Sequence, residues 1–129
     1  MNCTTRRANV LVVDDEPDLQ ELLVDAVGDM DLEIGVAGSG HEAITRASEQ
    51  RPDLLVTDLC LGDCNGLDVI DFLHNEMGEI PTVVITGRGD ARTLQAASQR
   101  RPVELMTKPL DIDRLRQTVR QELDRLEVR

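Results

Sequence analysis

No apolar run in this sequence approaches the roughly 18 residues that a bilayer-crossing helix needs, and residues 1–7 lead into too short an apolar stretch for a secretory leader. A cytoplasmic protein without a membrane partner is therefore expected. Soft metal ligands are scarce too. The three cysteines, Cys3, Cys60 and Cys64, form no C-x-x-C pair, and His41 and His74 are the only histidines. That set argues against a zinc site and fits reduced thiols. Positive charge is short as well: 14 Lys and Arg stand against 25 Asp and Glu, for a formal net charge of -11. Such a balance argues against direct binding of nucleic acid over the whole surface.

What is present is 129 residues, enough for one domain with a core of its own and no disulfide or metal staple. Residues 1–129 are expected to form that single domain, with a flexible segment over 1–8 and no output domain. Charge is divided unevenly along it. Residues 1–85 carry 18 acids and 4 bases, whereas residues 86–129 carry 7 acids and 10 bases.

Strand-like and helix-like stretches alternate. Residues 9–13 are an apolar strand ending at Asp14-Asp15, and Pro17 suits the first turn of a helix, where its missing N–H is no loss. Leu19, Leu22, Leu23, Ala26, Val27 and Met30 follow at a spacing that makes one apolar stripe. A short strand over 32–37 comes next, and Ser39 with Glu42 forms a capping box for a helix reaching about residue 49. A buried strand over 54–58 stops at Asp58. Beyond a turn-rich loop, a helix over 66–77 puts Leu67, Ile70, Leu73 and Met77 on one face. Residues 81–86 make a fourth strand, closed by Thr86 and Gly87. The helix over 90–100 has a thin stripe of Ala91, Leu94 and Ala97, which makes it the least firmly held, and Pro102 ends it. A fifth strand over 103–107 stops at Lys108-Pro109, and a last helix opens near Asp111.

Five strands alternating with five helices imply an α/β, flavodoxin-like three-layer sandwich with a parallel five-stranded sheet, because parallel strands need helical crossovers. Right-handed crossovers gather the strands' C-terminal ends on one edge. In the order 2-1-3-4-5 the ligand crevice lies between the first and third strands. Asp14, Asp15, Asp58, Thr86 and Lys108 all sit at such ends. Carboxylates this close repel one another unless one takes a proton or a cation is held between them, and an all-oxygen set suits Mg2+. With a lysine and a threonine added, the set describes a phosphoryl site. Lys108 and the metal neutralise phosphoryl oxygens, Thr86 donates a hydrogen bond, and one carboxylate attacks phosphorus. Asp58 is the natural nucleophile, standing alone on the middle strand opposite the acidic pair.

These marks in this order resemble the receiver domains of two-component response regulators over essentially the whole chain: Asp14-Asp15, Asp58 with Gly66 eight residues on, Thr86-Gly87, and Lys108-Pro109. The resemblance implies that Asp58 accepts a phosphoryl group from a histidine kinase or a histidine phosphotransfer protein. It implies Mg2+ bound by Asp15, Asp58 and the Cys60 backbone carbonyl, with Asp14 acting largely through water. Lys108 would pair with the phosphoryl group and Thr86 would move toward it. A downstream protein partner would then read the fourth helix, fifth strand and fifth helix. Such a protein catalyses its own phosphorylation and dephosphorylation rather than turning over a substrate. Cys60 and Arg88 lie where side chains flank the hydrolytic water's path in receivers, and are expected to tune phosphate lifetime.

Three departures from the receiver pattern stand out. Gly62 occupies the place of the usual proline four residues after the acceptor, which implies a more mobile metal loop. Leu105 stands where receivers carry the switch Tyr or Phe, and the one aromatic of this chain, Phe72, lies on the third helix. Arg101-Pro102 replaces the usual Gly-Ala. A phosphorylation-independent binding module of the same fold is therefore the alternative function, kept alive by Leu105 and Gly62. A haloacid dehalogenase-type phosphatase is disfavoured, because Asp14-Asp15-Glu16-Pro17 contains no D-x-D. The arginines at 88, 92, 100, 101, 114, 116 and 120 form either a solvated basic face or a docking surface for an acidic partner.

Overall fold

A computed structural model describes residues 7–87 and 91–127. The elements run β1 (Ala8–Val13), α1 (Pro17–Val27), β2 (Leu32–Ala37), α2 (Gly40–Glu49), β3 (Leu54–Asp58), α3 (Gly66–Met77), β4 (Thr82–Thr86), α4 (Ala91–Gln99), β5 (Glu104–Thr107) and α5 (Ile112–Glu127). All strand pairs are parallel, in the order β2-β1-β3-β4-β5. This is the sheet expected from the sequence. The expected opening of α4 at Asp90, the thiol Cys3, the side chain of Arg88 and most of the expected flexible segment lie outside the described residues. Of that segment, Ala8 opens β1, and Arg7 donates to the Leu32 carbonyl at 2.6 Å and pairs with Asp31.

Alternation along the strands divides the core in two. Val10, Val12, Leu54, Val56, Val83 and Ile85 face one way, and Leu23 and Val27 of α1 with Leu115 and Val119 of α5 cover them. Leu11, Val13, Leu55 and Val84 face the other way, against α2, α3 and Ala97 of α4. Chain direction explains the division. The step from β1 to β2 runs toward one edge and the later steps run toward the other, so right-handed crossovers put α1 on one face and α2 to α4 on the opposite one; α5, which follows the last strand, joins α1 through Leu115 and Val119. Full burial of a side chain such as Leu73 or Ile70, both 0% exposed, stabilises the fold by about 1.5–3 kcal/mol each.

The helix starts follow local chemistry. Ser39 Oγ accepts the Glu42 N–H at 3.1 Å, and Glu42 reaches back to the Gly38 N–H at 2.7 Å, one residue earlier than a strict capping box. The Asn65 side chain caps α3 through the Leu67 N–H at 2.8 Å. Two details of the apolar stripes differ from expectation. Leu22 is 43% exposed, and Met30 is buried from the turn beyond α1 rather than from the helix itself. In α4 only Ala97 is buried. That helix is tied instead by Arg100, whose guanidinium meets Asp71 of α3 at 3.0 and 2.8 Å and also bonds the Ala96 carbonyl.

α4 stops at an unusual residue. Arg101 has φ 53, the left-handed conformation that glycine adopts most easily after a helix. Pro102 disfavours the right-handed helical conformation at the residue before it, which is why the chain turns there. Among the described residues no helix is long and apolar enough to cross a membrane.

Candidate functional site

Strand ends supply the site. β1 and β3 are paired in register, Val13 with Thr57, so the residues that follow these two, Asp14 and Asp58, emerge side by side. Asp58 is 2% exposed and Asp14 0%. Asp58 Oδ1 accepts the Cys60 N–H at 2.9 Å, and its Oδ2 accepts Lys108 Nζ at 2.7 Å. Lys108 is positioned by its own backbone, whose N–H bonds the Thr86 carbonyl at 2.9 Å across the ends of β4 and β5. The Lys108-Pro109 peptide is cis. Thr86 is buried at the end of β4.

Carboxylate oxygens of Asp14, Asp15, Glu16 and Asp58 lie within 4.8 Å of one another. Repulsion and burial act together on Asp14, which is pushed up to about 6: burial is the largest cause, the nearby Asp58 charge adds to it, and the Glu16 N–H and Lys108 oppose it. Its Oδ1 accepts the Glu16 N–H at 2.8 Å. Its Oδ2 is the one buried side-chain oxygen with no hydrogen-bond partner among the described residues, and the nearest ammonium is 4.0 Å away. A buried lone pair without a partner, aimed into a group of hard oxygens, is what a Mg2+ ion or its bound water would satisfy. The donor set therefore fits that ion. Lys108 is held charged well above the ordinary lysine range: burial opposes the charge, and the Asp58 and Glu16 carboxylates outweigh it.

The loop after Asp58 makes several hydrogen bonds to its surroundings. Cys60 and Asn65 form an antiparallel bridge, and the Gly66 N–H bonds the Leu59 carbonyl at 2.8 Å. Asp63 reaches across to α2, accepting the Gly40 and His41 N–H groups at 2.9 and 3.0 Å. Those two N–H groups hold its carboxyl below the usual range. Gly66 is required by proximity. A Cβ there would stand 2.3 Å from the Asp58 carbonyl oxygen and 2.8 Å from Leu59 Cα.

Asp14, Asp15, Asp58, Thr86 and Lys108 thus come together at one edge, with Cys60 exposed beside them. Sequence reasoning missed two residues. Glu16 pairs with Lys108 at 3.1 Å, and the signal for it was a third acid in the Asp14-Asp15-Glu16 run. Asp63 looked like an ordinary turn residue. The basic surface is also less free than expected, since Arg100 pairs with Asp71, Arg114 with Glu104 at 2.5 Å, and Arg116 with Asp29 at 2.7 Å. Leu105, in the place of the switch aromatic, packs against the core on the α2–α4 side.

Comparison with known proteins agrees with this fold. The family model for the response regulator receiver domain matches residues 10–120. The response regulator protein PilR of Pseudomonas aeruginosa is 35% identical over 113 residues, 88% of this chain and 25% of that protein. The DNA-binding response regulator MtrA of Mycolicibacterium smegmatis is 34% identical over 123 residues, covering 95% of this chain and 54% of MtrA. The chain therefore spans about a quarter to a half of these relatives. Among solved structures, the signal receiver domain of a putative LuxO repressor from Vibrio parahaemolyticus superposes with a TM-score of 0.87 at 28% identity, over 95% of each chain. A CheY-like receiver domain from Methanospirillum hungatei gives 0.86 at 17% identity over 95% of this chain and 98% of its own, a likeness of fold. This chain belongs to the response regulator receiver domain family.

Proposed function

We propose that Asp58 is the phosphoacceptor of a Mg2+-dependent receiver, taking its phosphoryl group from a histidine kinase or a histidine phosphotransfer protein. The observation that carries this reading is the buried Asp58 carboxylate held 2.7 Å from Lys108 Nζ, beside the orphaned oxygen of Asp14. An Asp58 oxygen attacks phosphorus, the phosphorus–nitrogen bond of the donor phosphohistidine breaks, and the imidazole leaves with the electron pair. Asp15, Asp58 and the Cys60 carbonyl would hold Mg2+, with Asp14 acting largely through water, and the ion would supply charge neutralisation for the phosphoryl oxygens. Lys108 neutralises the remaining charge, and Thr86 donates to the phosphoryl group once it is attached.

Phosphorylation then alters the surface of α4, β5 and α5 that a downstream protein partner reads. Leu105 supports a shortened relay: Thr86 moves, but no ring at position 105 changes its packing. The same residue favours the second reading, a module that binds its partner without phosphate. Intact mass after incubation with Mg2+ and acetyl phosphate separates the two. The wild type gains one phosphoryl mass and Asp58→Asn gains none if the first holds; an unmodified wild type leaves the second.

A further inference from the structure

We infer that Glu16 is a positioning residue of this site, whose carboxylate holds the Lys108 ammonium before phosphorylation and releases it to the arriving phosphoryl group. The inference rests on the phosphoacceptor reading above. Lys108 Nζ is shared among Asp58 Oδ2 at 2.7 Å, Glu16 Oε1 at 3.1 Å and Asp14 Oδ2 at 4.0 Å. A lysine ammonium has three donors; two are hydrogen-bonded here, to Asp58 and Glu16, while Asp14 Oδ2 at 4.0 Å is beyond hydrogen-bond reach, so it is from Asp58 and Glu16 that a phosphoryl oxygen must draw the ammonium. Asp58 becomes the ester and Asp14 is the most distant. Glu16 is the group left to yield.

Glu16 is built for this and not for capping. It occupies the N-cap position of α1, yet its side chain makes no cap hydrogen bond. The side chain is 63% exposed, so packing does not hold it over the site. Its backbone, by contrast, is fixed on both sides: the N–H bonds Asp14 Oδ1, the carbonyl accepts the Gln20 N–H at 3.0 Å, and Pro17 follows. An exposed carboxylate on a fixed stem reaches Lys108 and has open solvent on its other side. Its charge also belongs to the four-carboxylate group, so it attracts the metal while repelling the doubly negative phosphoryl group.

These two effects have opposite signs, which makes the role testable. Replacing Glu16→Gln removes the charge at an exposed position, worth about a two- to fivefold change in each equilibrium or rate. Mg2+ titrated calorimetrically into the full chain is expected to bind two- to fivefold more weakly to the variant. At saturating Mg2+, phosphorylation by acetyl phosphate, followed by intact mass, is expected to be two- to fivefold faster. A merely structural role would leave both unchanged or worsen both. Either of those results, in a wild type that does take phosphate, overturns the inference alone. A wild type that binds Mg2+ and takes no phosphate overturns the phosphoacceptor reading and this inference with it. Glu16→Asp keeps the charge and shortens the arm by one methylene, so it should bind Mg2+ as the wild type does and still phosphorylate faster. A rate equal to wild type in that variant would also overturn the claim that contact with Lys108 is what Glu16 supplies.

Discussion

Neutralising Asp14 should make the protein more stable while removing its function. Asp14 is fully buried and its carboxyl is raised from 3.8 to about 6. A raised native value means that the unfolded chain carries the charge more easily than the folded one. The native state therefore carries the whole penalty above about pH 6, and loses it as pH falls from about 6 toward 3.8, where the native carboxyl takes a proton before the unfolded one does. A rise of that size corresponds to about 3 kcal/mol. Asp14→Asn is nearly isosteric and keeps an oxygen for the Glu16 N–H, but forfeits some attraction to Lys108, so the net gain should be about 1–3 kcal/mol. Urea denaturation of both proteins at about pH 8 and about pH 5 measures it. The variant should be the more stable at the higher pH, and the gap should narrow at the lower. Millimolar Mg2+ should shrink the gap at pH near 8 by stabilising the wild type, because an ion that binds only the folded carboxylates adds to folding free energy. Equal stability without Mg2+, or a gap independent of pH, would refute the account of Asp14 as a buried carboxylate with one oxygen unpartnered.

Gly66→Ala drives a methyl into the Asp58 carbonyl and should cost about 1–3 kcal/mol, with slower phosphorylation because the acceptor's backbone must shift; an unchanged urea midpoint and rate would contradict it. Arg101→Gly relieves a left-handed backbone without removing any ion pair seen among the described residues, and should raise stability by about 1 kcal/mol in the same assay. Arg100→Ala cuts the link between α4 and α3, and amide hydrogen exchange in α4 should rise while that in β3 stays as it was. Asp63→Ala frees the loop from the start of α2, and should weaken Mg2+ binding by disordering the Cys60 carbonyl; calorimetry giving wild-type affinity would count against that coupling.

The fold was legible because its signals are local. The apolar runs of β1, β3, β4 and β5 stop at a polar residue, Asp14, Asp58, Thr86 or Lys108, and several helices open on a proline or a capping side chain, so both the alternation and the shared edge follow from short windows of sequence. What stayed hidden was contact between distant segments. Glu16 meets Lys108 across 92 residues and Asp63 meets Gly40 across 23, and no periodicity encodes either. The arginines illustrate the same limit: Arg100 and Arg116 read as free surface charge, yet each finds its carboxylate on an element far away in sequence. Spacing puts Leu22 on the apolar stripe of α1, but the side chain falls outside the core that α1 and α5 build together and stays half in solvent.

Lys108 is the chain's only lysine, and it contacts three of the four clustered carboxylates within 4.0 Å. Incorporating lysine labelled with nitrogen-15 and carbon-13 would therefore give a single set of side-chain resonances, free of overlap and arising from the site itself. One spectrum could follow the ammonium through apo, Mg2+-bound and phosphorylated states. The scarcity of lysine thus makes the native protein its own single-site reporter, with no engineered probe to disturb the chemistry being watched.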